Sequence, residues 1–336
     1  MKIFSVIGTR PQYIKIKPFY DFCYDNNINH KIIDTLQHYS YNVSESLIDD
    51  LDLEIDFTTK VDNKNEISFI SNTMLEIEKI LNKEKPNIIL TYGDTNSTLC
   101  ASLVAYKLNI PVAHIEAGLR CGTKEVPEEV NRILADTVSD LKFCSSKTAV
   151  SNLNDGIYCG DLEYELLNHI NPTIKFDDYG VMTLHRQSNT NLERLKTIMK
   201  FCKNVPHEIR FFAHHRTLPL LSELEIPKNV IIFESCPYTE MIKNLSNCRF
   251  IITDSGGIQK TAPFFGKRAL VLRENIEWVE TERRDFTKRA DLTDLDLKWL
   301  LSLPPERKKR FYLHSKQNCS DIIYQSIKRY LDDSII

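Results

Sequence analysis

Apolar and polar positions alternate along the chain in short blocks rather than long runs. β-rich apolar stretches at residues 3–7, 30–36, 87–91 and 111–115 predict strands, with shorter ones at 142–144 and 157–159. Segments of helical spacing lie between them at 11–26, 67–82, 97–108 and 127–138, and Pro11 suits a first helical turn. The rhythm restarts near Gly180, with strands expected at 180–184, 209–213, 230–233, 250–253 and 269–272. Helices are expected there at 192–203, 239–246 and 258–265, and an amphipathic one at 305–330. Such alternation specifies parallel sheets with helices on both faces.

The expected architecture is therefore α/β, with two Rossmann-like doubly wound domains facing an interdomain cleft. Asn171-Pro172 and the polar stretch 175–178 mark the linker. The domains are placed at 1–170 and 171–310, with 311–336 forming a helix that packs across both. Ligands of such sheets bind outside the carboxyl ends of the strands, and the polar clusters follow predicted strands directly.

Composition narrows the partners. A formal charge of −3 over 336 residues gives no basic footprint for nucleic acid or an anionic membrane. No apolar run approaches the roughly 20 residues of a membrane span, and residues 1–8 read as a first strand rather than a signal peptide. The nine cysteines stand singly without Cys-x-x-Cys spacing, as expected of reduced thiols in a cytoplasmic protein.

Asp254-Ser255-Gly256-Gly257-Ile258-Gln259 lies between a strand and a helix. The two glycines leave backbone N–H groups open to an anion at a helix N-terminus, and the Ser255 hydroxyl adds a donor. Gly8-Thr9-Arg10-Pro11, with Lys15 one turn on, follows the first strand and offers cations for phosphate oxygens. It matches neither the dinucleotide nor the Walker fingerprint. Asp94 follows the third long strand, Glu116 and Arg120 follow the fourth, and Glu128, Asn131 and Arg132 open a helix at spacing that shares one face. Each has a structural explanation as an N-cap, an ion pair or a dipole-matched first turn. Three carboxylates on one sheet edge nevertheless suit proton transfer. His185-Arg186 and His214-His215-Arg216 end strands of the second half as candidate charge clamps. No carboxylate or cysteine at ligand spacing supports a metal there.

Together these segments, with Gln37-His38, Gly93-Asp94-Thr95 and 114–120, resemble the UDP-N-acetylglucosamine 2-epimerase family on the GT-B fold, from Gly8 to about Glu280. The resemblance implies inversion at C2 of a UDP-linked 2-acetamido sugar. UDP is eliminated to a glycal and re-added, with no cofactor and no metal, in a homodimer supplying polysaccharide or glycan synthesis. It implies acid/base roles for Asp94, Glu116 and Glu128, without saying which removes the proton, and makes His185 the group that stabilises departing UDP. The implied substrate- or UDP-binding set is Arg10, Lys15, Gln37, His38, Arg120, Asn131, Arg132, Arg186, His214, Ser255, Gly256, Gly257, Thr261 and Arg273. Thr261 stands where family members usually carry a ribose-binding glutamate. Cys121, Val126 and Trp278 are similar to relatives acting on UDP-diacetamido uronic acids or UDP-6-deoxy-L-hexosamines. A hydrolysing 2-epimerase, a GT-B glycosyltransferase and a non-catalytic nucleotide-sugar binder are the alternatives.

Overall fold

A computed structural model describes residues 1–37, 41–61, 65–214, 217–273, 278–305 and 318–333, with only the helical backbone for 41–45. The chain divides into two compact units, Met1–Ile170 with His314–Ile336, and Asn171–Leu313.

The first unit holds β1 (Lys2–Ile7), β2 (Asn29–Asp34), β3 (Phe57–Thr58), β4 (Ile88–Tyr92), β5 (Val112–Ile115), β6 (Leu141–Cys144) and β7 (Gly156–Tyr158). They form a seven-stranded sheet in the order β3-β2-β1-β4-β5-β6-β7, with every pair parallel. Phe4, Val6, Ile33 and Ile89 pack against Ile77 and Leu81 of the helix Glu66–Glu84 and Cys100 and Val104 of the helix Asn96–Lys107. The helices Arg10–Asp25, Leu162–Ile170 and Cys319–Asp333 pack on one another. Ser320 N–H donates to Glu165, and Phe22 meets Tyr324, so the C-terminal helix is part of this unit.

The second unit repeats the plan with β8 (Tyr179–Leu184), β9 (Glu208–Ala213), β10 (Val230–Phe233), β11 (Phe250–Thr253), β12 (Arg268–Val271) and β13 (Thr287–Arg289). The order is β10-β9-β8-β11-β12-β13, again all parallel. In each sheet the order reverses at the first strand, between β1 and β4 and between β8 and β11. A doubly wound sheet opens its binding crevice at that point, at the carboxyl strand ends.

Close packing fixes where glycine is required. A Cβ on Gly180 would lie 2.1 Å from the Phe250 ring of the neighbouring strand, and one on Gly8 would lie 2.0 Å from Thr35 Oγ1. Gly8 thus answers a need for space between the ends of β1 and β2. Gly180→Ala forces the Phe250 ring off its position in a filled core and should destabilise the second unit by about 2 kcal/mol. A thermal melt reads this, and an unchanged melting temperature contradicts the packing described.

Candidate active site

In the first unit, β1 leads into the helix Arg10–Asp25 through a capping box formed by Thr9 and Gln12. The buried Gln12 accepts from Gly8 N–H (2.9 Å) and Thr9 N–H (3.1 Å) and donates to Tyr92 O (2.6 Å). The Gly8-Thr9 amides are therefore committed to the fold, and this turn's anion-binding capacity rests on its cations. Arg10 is exposed at the first helical position, and Lys15, half-buried a turn later, pairs with Glu116. Gln37 accepts from Ser97 N–H (2.9 Å), which ties it to the start of the helix Asn96–Lys107. His38 lies outside the described residues.

Glu116 has φ +70°, a left-handed backbone uncommon for a non-glycine residue. Ala117 N–H donating to Phe143 O and Gly93 N–H donating to Ile115 O hold the strand end on either side. Strain kept by such bracing is found at functional positions. Gly93, at φ +67°, makes the turn that presents Asp94. Asn131 donates to Asp94 O (3.1 Å), and the Arg132 guanidinium pairs with the Asp94 carboxylate. Burial pushes the Asp94 carboxyl above its ordinary range; Arg132 and Lys15 oppose this, while Glu116 and Glu128 add to it. A half-buried carboxyl raised in this way is suited to exchanging protons.

Glu128 is exposed in the first turn of the helix Pro127–Val138. Its neighbour Glu129 is the buried one, accepting from Cys121 N–H (3.0 Å), Gly122 N–H (3.3 Å) and Arg132 (2.7 Å). These hydrogen bonds hold it below the usual carboxylate range against the effect of burial. Arg120 pairs with the buried Asp136 at 2.7 Å, an interaction that organises the loop after β5. Glu129, Arg132 and Asp136 recur at i, i+3 and i+7, so this helix turns a charged stripe inward. That spacing is visible in the sequence and would have found Glu129 and Asp136.

In the second unit, His185 and Arg186 follow β8 with exposed side chains. His185 Nδ1 lies 2.8 Å from Oδ1 of the fully buried Asp254 at the end of β11. Asp254 also accepts from His185 N–H (3.1 Å), Arg186 N–H (3.0 Å) and Asn189 Nδ2 (3.0 Å). Burial would raise this carboxyl, but the bonds from His185, Arg186 and Asn189 hold it below its ordinary value. With Nδ1–H donated to Asp254, His185 presents Nε2 outward, an arrangement by which a carboxylate fixes the tautomer of a working imidazole. Asp254, quoted in the motif above without a role, is the positioning group here.

Ser255 caps the helix Gly256–Phe264 with its side chain toward Ile258 N–H. The two glycines are its first helical residues rather than a preceding turn, so their amides are among those a helix leaves unsatisfied at its start. Thr261 is buried, and its hydroxyl donates to Gly257 O (2.9 Å). His214 and Arg273 sit half-buried just beyond β9 and β12. Among the described residues, no cluster of His, Cys, Asp and Glu could hold a metal, and no helix is long and apolar enough to cross a membrane.

Asp254 and Asp136 both sit below their ordinary values. The unfolded chain therefore binds the extra protons: the stabilisation is full above about pH 4, the unfolded carboxyl value, and is lost as pH falls through the lower folded values. Thermal melts should decline steeply below about pH 4, and Asp254→Asn should flatten that decline. An unchanged slope contradicts the assignment for Asp254.

Known proteins resemble this chain over most of its length. The family model described as UDP-N-acetylglucosamine 2-epimerase matches residues 22–293. UDP-2,3-diacetamido-2,3-dideoxy-D-glucuronate 2-epimerase of Pseudomonas aeruginosa is 35% identical over 302 residues, 83% of this chain and 85% of that protein. UDP-N-acetylglucosamine 2-epimerase of Methanocaldococcus jannaschii is 34% identical over 314 residues, 84% of this chain and 86% of its own. The crystal structure of the M. jannaschii UDP-GlcNAc 2-epimerase in complex with UDP-GlcNAc and UDP superposes with a TM-score of 0.83 at 31% identity. It covers 98% of this chain and all of that one. Two parallel sheets of GT-B type, carboxylates at the ends of β4 and β5 and a Ser-Gly-Gly helix start after β11 thus accompany a match over most of the length, and the chain belongs to the UDP-N-acetylglucosamine 2-epimerase family.

Proposed function

We propose that the protein epimerises C2 of a UDP-linked 2-acetamido sugar without hydrolysing it. The observation that carries this reading is the pair Asp94 and Glu116, each carboxylate held against its own cation, at the ends of adjacent strands β4 and β5. A C2 proton next to an acetal carbon is not acidic in the intact sugar. Elimination of UDP across C1 and C2 gives a glycal, and re-addition with a proton delivered to the opposite face inverts the centre. Asp94, whose proton affinity burial raises, and Glu116 handle the proton, with Glu128 at the helix start adding negative charge. Lys15, Arg132 and Asn131 keep the two carboxylates apart and aimed.

The second unit receives the nucleotide. Ser255, Gly256 and Gly257 take the diphosphate at the helix start, with Arg186, His214, Thr261 and Arg273 around the nucleotide. His185 donates from Nε2 to the departing phosphate oxygen, where charge develops. The enzyme works as a homodimer.

The sugar belongs to the UDP-GlcNAc, UDP-diacetamido uronate or UDP-6-deoxy-L-hexosamine class, and the 35% identical P. aeruginosa relative supports including the second. Incubation with each UDP-sugar, followed by 1H NMR, should show a 2-epimer still carrying UDP. Stoichiometric free sugar and UDP would instead establish the hydrolysing reaction, and transfer of the sugar to an added acceptor would establish a glycosyltransferase. Light scattering on the eluting protein reads the dimer, and a monomer mass at working concentration rejects it.

A further inference from the structure

His114 stands fully buried on β5 behind the carboxylate pair, and none of the roles above uses it. Its Nε2 lies 2.7 Å from Gly93 O and its Nδ1 lies 2.7 Å from Asp136 Oδ1. A backbone carbonyl can only accept, so Nε2 carries a proton. Asp136 Oδ2 already accepts from Gly118 N–H (3.2 Å) and pairs with Arg120 (2.7 Å). Burial works to raise the Asp136 carboxyl, but His114 and Arg120 together hold it below the ordinary range, so it too is an acceptor.

We propose that His114 is a positioning residue for proton transfer: a buried ring that locks the Gly93–Asp94 peptide from behind through Nε2–H and is braced through Nδ1 on Asp136.

The reach to Asp94 is one peptide bond. Because that peptide is planar and trans, fixing Gly93 C=O toward the imidazole fixes Asp94 N–H away from it. Asn131 holds Asp94 O and Arg132 holds its carboxylate, so the residue is fixed at its preceding carbonyl, its own carbonyl and its side chain. Two of those partners, and Asp136, come from the one helix Pro127–Val138, which makes that helix and the ring a single brace. The charge is matched locally. Asp136 and Arg120 face the ring side, Cys144 on β6 is a thiol pushed up to about 12, and Lys142, the register neighbour on β6, is paired with Asp155. Removing either partner of a buried polar contact of this kind leaves the other without its hydrogen bond, which is costly in the interior.

The kinetic part of this inference rests on the reading of Asp94 as a proton-transfer group, whereas the state of the ring does not. Long-range 1H–15N spectra of labelled protein, with His114→Asn assigning the signals, should show a proton on Nε2, the nitrogen that faces Gly93 O; a bare Nε2 overturns the proposal. His114→Gln should lower kcat for C2 exchange at least tenfold with KM within threefold, because the ring does not touch substrate. The double variant His114→Gln/Asp136→Asn lets two amides pair in place of the ring and the carboxylate and should regain much of the lost melting temperature without regaining kcat. Recovery of kcat together with stability, or a single variant with unchanged kcat, shows a packing role only and overturns the proposal. If wild-type protein exchanges C2 of no UDP-sugar, the function fails while the ring spectrum still decides the state of His114.

Discussion

Asp94→Asn and Glu116→Gln should each reduce C2 exchange by about 10²- to 10⁴-fold while UDP binding stays within a few-fold of wild type. That range is the usual contribution of a positioned acid or base. The two substitutions keep shape and hydrogen-bonding capacity but remove the group that takes or gives a proton. They should nevertheless differ in a second respect. Asn at 94 still leaves Arg132 paired with Glu129, while Gln at 116 removes the carboxylate that Lys15 pairs with. The Glu116 variant should therefore lose more thermal stability for its size, since its φ of +70° must be kept with one stabilising contact removed. Deuterium incorporation and calorimetric UDP titration read the two quantities separately. Loss of UDP binding in both variants would assign these carboxylates to structure rather than chemistry.

Asp254→Asn should lower kcat by about 10²-fold or more with UDP affinity little changed, an effect of the size seen when the carboxylate orienting a working histidine becomes an amide. The carboxylate accepts Nδ1–H of His185. An amide oriented to keep accepting the backbone N–H groups of His185 and Arg186 turns its own NH2 toward Nδ1. The proton then sits on Nε2 of a neutral ring, and the positive charge that would meet the departing diphosphate loses its stabilising partner. Activity within threefold of wild type would remove Asp254 from the mechanism.

Both predictions turn on details the chain revealed unevenly. The strand-helix alternation was legible because buried parallel strands are continuous apolar runs, and the helix Pro127–Val138 follows its pattern to the residue. The pairs Asp94 and Glu116, and His185 with the Ser255-Gly257 helix start, were legible because they sit directly after such runs. Less visible were β3 and β13, two and three residues long at the sheet edges, where there is too little length for a period to show. The helix Leu162–Ile170 was missed as well; it buries Glu163 and Glu165.

Within the site, the spacing to Asn131 and Arg132 and the family resemblance singled out Glu128, and its neighbour Glu129 was passed over. Which one turns inward follows from Arg132 and Asp136 three and seven positions after Glu129. Asp136, Asp254 and Asn189 act through other side chains or backbone amides, and such partners are set by the meeting of distant strands and helices. Arg120 shows the converse: the guanidinium expected at the substrate is engaged with Asp136.

The central claim, that UDP leaves and returns while C2 loses and regains a proton, is tested most directly by one experiment. UDP-sugar labelled with 18O in the bridge between C1 and the β-phosphorus is incubated with the protein in D2O. The account predicts deuterium at C2 together with movement of the 18O from the bridge to non-bridging phosphate positions, in a nucleotide sugar that remains intact. Deuterium at C2 with the label still wholly in the bridge would contradict it.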